Sequence, residues 1–153
     1  MLYVLVTQAL FAGFAVLGIL AYQGKRWAFG AFIALAIAYF PIRSDFHFVY
    51  RSCEVAFDWP LAVYSLQNYN HIILFFAFFL MAAAQLPMSR PRHFVIAIAM
   101  TLAMGLIVEV SEAMWSRGNC RFRDLIPDGA GALIGTVTVM VRGRTRGPDS
   151  LTS

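Results

Sequence analysis

Five apolar runs, at residues 1 to 22, 27 to 42, 69 to 87, 93 to 115 and 124 to 141, constrain this chain more than anything else in it. A bilayer core of about 30 Å takes roughly 20 apolar residues of helix, with a range near 17 to 25. Inside hydrocarbon the backbone must bond to itself, and a helix does so within each segment. The expected fold is therefore all-α: a polytopic membrane bundle of about five transmembrane helices. Composition agrees, because 60% hydrophobic and 13% charged residues lie far from the soluble average of about 45–50% and 25%. The second run, WAFGAFIALAIAYFPI, is the shortest and carries Pro41 near its end. The first has no basic leader and no convincing small-residue cleavage site, so it reads as a retained span.

Charge sets the expected orientation. With five spans, Lys25, Arg26, Arg90, Arg92, Arg142, Arg144 and Arg146 share one side, and Arg43, Arg51, Arg117, Arg121 and Arg123 share the other. Lys and Arg favour the cytoplasmic side of short loops, so the N-terminus is expected outside and the C-terminus in the cytoplasm of a bacterial inner membrane. Residues 1–42 then form two N-terminal spans, 43–68 an outer loop, 69–141 a three-helix core and 142–153 a cytoplasmic tail. In the outer loop, FHFVY and EVAFDW flank RSC and read as either a small hairpin or an interfacial amphipathic segment. The net charge of +4 reports topology. No basic stripe interleaved with aromatics points to nucleic acid.

Acids near membrane spans need a reason, because a carboxylate at a helix centre costs roughly 2.5–3.5 kcal/mol. Thr101, Gly105, Glu109, Glu112 and Ser116 follow spacings of three and four, so they form one helical stripe. Asp124, Asp128, Gly131 and Gly135 form another, in which GALIG is a GxxxG pattern that permits close backbone approach. Facing these stripes gathers four carboxylates and His71 into one outer polar pocket, with Arg117, Arg121 and Arg123 on the loop above. Structural alternatives stand beside this. Asp124 fits an N-cap, His71 an interfacial helix residue, and the acids and loop arginines a structural ion-pair lattice. His93 and His47 have no ligand spacing. No HExxH or CxxC occurs and no cofactor is expected, but a His among carboxylates leaves a divalent cation open. Cys53 and Cys120, one in each outer loop, would pin the 43–68 loop over the pocket if they pair in an oxidising compartment.

These residues resemble the VanZ-like family of bacterial membrane proteins, named for a teicoplanin-resistance protein. That pattern has an Asp-Lys pair before a His that opens a span, a Gly with a Glu and a Gln ending the next span, an Arg-containing loop, and an Asp and an Asn followed by two glycines. Here NYNHIILFF supplies His71 and Phe75. GLIVEVSE supplies Gly105 and Glu109, with Glu112 where Gln is usual, and RDLIPDGAGALIG supplies Asp124, Asp128 in place of Asn, Gly131 and Gly135. Gln67 and Asn68 replace the Asp-Lys pair, and the usual loop Arg aligns with Gly118, between Arg117 and Arg121. The resemblance covers residues 64 to 140. It implies a cell-envelope protein linked to lipoglycopeptide susceptibility, without an agreed reaction.

Three functions compete on the sequence. The outer acidic pocket binds or modifies a lipid-linked or cationic envelope ligand, or the chain is a non-catalytic accessory subunit of a larger membrane complex. A proton or cation path is weakest, because only His93, at its edge, is ionisable in the inner half of the bundle.

Overall fold

The computed structural model describes residues 2–44, 46–55, 58–88, 90–115 and 120–145. Among these the chain is all-helical: α1 (Leu2–Tyr22), α2 (Arg26–Arg43), α3 (Trp59–Ser65), α4 (Tyr69–Ala83), α5 (Pro91–Trp115), a 3₁₀ turn (Phe122–Asp124) and α6 (Leu125–Thr145). Pro91–Trp115 and Phe122–Arg142 are long and apolar enough to cross a membrane. At 1.5 Å per residue, α5 is about 37 Å long, enough for the hydrocarbon core. Trp59–Ser65 and Tyr69–Ala83 make a third span if the pair, bent by 69°, is counted as one.

Local chemistry sets the boundaries. Gly24 adopts φ +82°, the left-handed conformation that ends helices. Its N–H donates to Ala21 O and that of Lys25 to Leu20 O, so α1 stops where its basic turn begins. Pro91 opens α5, where its missing N–H is not needed. The third run ends earlier than its hydropathy suggests. Helix α4 stops at Ala83, Gln85 and Leu86 close with short i→i−3 bonds, and Pro87 bars the extended helix.

Side-chain bonds join one end of the bundle: Gln85 Nε2 donates to Ala21 O, and Arg142 donates to the Tyr22 hydroxyl. His93, also at this end, is buried against Pro87 O. The opposite end carries the 43–68 loop, α3 and the acids. Helix α4 is central. Its Phe75, Phe78, Phe79 and Met81 form the core with Phe29 of α2, Met104 of α5 and Ala132 of α6.

The GxxxG face turns to α4 rather than, as the facing stripes suggested, to α5. A Cβ on Gly131 would sit 2.5 Å from Ile72 O and 2.7 Å from Phe76 N, and one on Gly135 would overlap the Phe79 ring. Small residues let these backbones meet without any gap for lipid. Gly105 on α5 has a different use, since a Cβ there would overlap the Asp128 carboxylate.

Of the 43–68 segment, Ala56 and Phe57 lie outside the described residues, and the described part forms neither a hairpin nor a single helix. Residues 49–54 run extended over the end of α5, where the N–H groups of Val49 and Arg51 donate to Met114 O and Ala113 O. These are carbonyls that a helix end leaves without internal partners. The segment then makes one parallel bridge, Glu54 with Arg121, beside a Cys53–Cys120 disulfide whose Cα atoms are 4.7 Å apart. Phe48 packs edge-on to Trp115. Helix α3 follows, and Ser65 Oγ ties it to Arg123 O.

Candidate functional site

Three helices deliver the polar residues to one end of the bundle. From α4, where it is stacked on Phe75, His71 sets its Nδ1 2.8 Å from Asp128 Oδ1. A carboxylate only accepts, so the imidazole donates from Nδ1. Asp128 lies in the first turn of α6 and is 0% exposed; its Oδ2 has no hydrogen-bond partner among the described residues. Its space comes from Gly105.

Glu109, one turn above Gly105 on α5, is 1% exposed and accepts the backbone N–H of Arg121 at 2.7 Å. One ligand atom each from His71, Glu109 and Asp124 lie within 4.8 Å of one another. Glu112 is half-buried, within electrostatic reach of His71, Asp124 and Arg43. The stripe from Thr101 through Gly105 and Glu109 is buried, and its Ser116 lies outside the described residues.

The basic residues are placed differently from the expected lattice. Arg117 lies outside the described residues. Arg121 reaches Glu109 through its backbone N–H, while its guanidinium sits 3.6 Å from Glu54; Arg123 donates to Glu54 at 3.2 Å. Glu54 thus holds the guanidinia that the sequence offered to the buried acids. It was missed because it is 55 residues from Glu109 in sequence. Its one signal is adjacency to Cys53, since a residue beside a cross-linked cysteine must lie against the other loop.

A cavity of about 310 Å³ opens beside this cluster, lined by Tyr64, Ser65, Gln67, Asn68, Arg121, Arg123 and Asp124. Asp124 is common to the cavity and the His71–Glu109–Asp124 group. The volume is at the low end of ligand sites, which run to about 1,000 Å³, so it suits a headgroup and not a whole lipid. Its lining residues carry two guanidinia, both paired with Glu54, two carboxamides and a phenol, which can donate to phosphate or hydroxyl oxygens, and the Asp124 carboxylate, which suits a hydroxyl or a cation. No family model, curated protein or solved structure matches this chain, so its function is read from this geometry.

Proposed function

We propose that this chain is a VanZ-like membrane protein of five spans whose outward-facing site binds or modifies a lipid-linked cell-envelope ligand through a phosphate-bearing headgroup. The supporting observation is the donor-lined cavity containing Arg121 and Arg123, set at the end of apolar helices and against the His71–Glu109–Asp124 group. A ligand whose tail stays in lipid reaches such a site from the membrane without leaving it. In favour of five spans, α1 and α2 also run between the two ends of the bundle: α1 ends beside α4 and α6, and α2 ends at Arg43, within reach of Glu112.

Binding of a polyprenyl phosphate and of the corresponding alcohol to the protein in nanodiscs tests this. The phosphate should bind at least about tenfold tighter, and Arg123→Gln should remove most of that difference, as expected for one charge-assisted bond. Equal binding of the two amphiphiles would sink the reading. Stoichiometric recovery of the native protein in a larger complex, with no lipid preference, would support the accessory-subunit alternative.

The inner membrane, with the N-terminus outside and the C-terminus cytoplasmic, is part of the same proposal and rests on the seven-to-five Lys and Arg bias. A cytoplasm-only reporter fused after Ser153 should therefore be active; a stable but silent fusion reverses the topology.

A further inference from the structure

We propose that His71, Glu109 and Asp124 bind a first-row divalent cation of the kind that accepts imidazole, zinc or manganese, with Asp128 as the positioning residue for His71. The inference deepens the site reading above by placing an ion at the wall of the headgroup cavity.

Geometry comes first. The three ligand atoms come from α4, α5 and the 3₁₀ turn and lie within 4.8 Å of one another. Two ligands each about 2.1 Å from an ion are at most about 4.2 Å apart, so closure needs only small side-chain adjustments. His71 Nδ1 is committed to Asp128, which leaves Nε2 as its ligand atom. A carboxylate on the far nitrogen is the arrangement that fixes the tautomer of metal-binding histidines and raises their basicity.

Charge points the same way. Asp128 is fully buried and enters the cluster only through Oδ1 on His71, its other oxygen lying against Gly105. The described guanidinia of the adjoining loop, Arg121 and Arg123, are turned to Glu54. Four carboxylates, Glu109, Glu112, Asp124 and Asp128, thus gather around one imidazole, with Arg43 within electrostatic reach of Glu112. Buried charge is normally paired or bound to metal. One imidazole with two carboxylates favours zinc or manganese over the purely oxygen-liganded magnesium and calcium. Three protein ligands would leave coordination positions for water or a ligand oxygen, on the side where Asp124 lines the cavity.

The test is equilibrium binding of Zn²⁺, Mn²⁺, Mg²⁺ and Ca²⁺ to the full-length, chelator-stripped protein, read by elemental analysis. One equivalent of zinc or manganese is expected, with at least about tenfold weaker binding in His71→Ala, Glu109→Gln and Asp124→Asn. Asp128→Asn should weaken it about 10- to 100-fold, as loss of an orienting partner does. Glu109→Gln retains an oxygen for the Arg121 N–H, so its fold should be maintained, and each variant's melting profile is measured alongside. Thr138→Val, on an exposed part of α6, should bind as wild type. Absence of zinc and manganese binding, binding of magnesium or calcium alone, or undiminished binding in the folded Glu109→Gln variant would overturn the proposal. Polyprenyl phosphate binding is measured with and without chelator. If it persists while no metal binds, the metal inference alone fails; if metal binds and the phosphate preference is absent, only the headgroup reading fails.

Discussion

Gly131→Ala should destabilise the detergent-solubilised protein by about 3 kcal/mol, the upper part of the range for overpacking a filled interior, and Gly131→Val should prevent assembly. The added Cβ meets Ile72 O and Phe76 N, which are backbone atoms of a helix, so no rotamer change relieves the clash. Only separation of α4 from α6 does, and that separates His71 from Asp128. Gly129→Ala is the internal comparison. Its Cβ would meet only Leu102 Cδ2 at 3.8 Å, so it should be neutral or gain up to about 1 kcal/mol from helix propensity. Thermal or denaturant unfolding followed by circular dichroism separates the two. Equal behaviour of the two alanine variants would show that α4 and α6 do not meet at this face.

Asp128→Ala should cost about 3–5 kcal/mol in the same assay, because it leaves the buried side of His71 without its partner. Its coupling to Gly105 is the more specific result. Gly105→Ala alone places a methyl group against the Asp128 carboxylate and 3.1 Å from Leu125 Cδ2, for an expected loss of about 2 kcal/mol. With Asp128 already alanine, most of that obstruction is gone. The double variant should therefore be more stable than the sum of the single losses by about 1 kcal/mol or more, as contacting residues are when measured in a cycle. Strict additivity would mean that the carboxylate does not occupy the space above Gly105. Asp128→Asn retains a side-chain oxygen for His71 and should lose less than Asp128→Ala.

The acids' convergence at one end followed from chain direction. Once apolar runs are joined by short loops, successive run ends alternate between two faces, so His71, Glu109, Glu112, Asp124 and Asp128 share one of them. The cysteines share it for the same reason, and the structure joins Cys53 to Cys120. The resemblance drew attention to Gln67 and Asn68 only as departures, but both line the cavity. Glu54 was marked in the sequence only by its place beside Cys53, and its pairing with two arginines was decided by the fold.

What the sequence determined by itself was the five long helices, their approximate ends and the polar end of the bundle; the short α3 was not among them. These depend on local terms: the length of an apolar run, the conformational freedom of Gly24, the missing N–H of a proline, and the three-to-four spacing of a stripe. Tertiary structure decided which faces meet. Apolar residues do not specify the rotation of a helix that has lipid on one side and other helices on the other. Leu106 and Ile107 on α5 remain exposed while Met104 is buried, although all three are similarly apolar. Rotation is set instead by steric fit, through Gly131 and Gly135 against α4, and by the few polar pairs, through Asp128 between Gly105 and His71. Both require atoms from two or three helices at once, and no single stretch of the chain contains them.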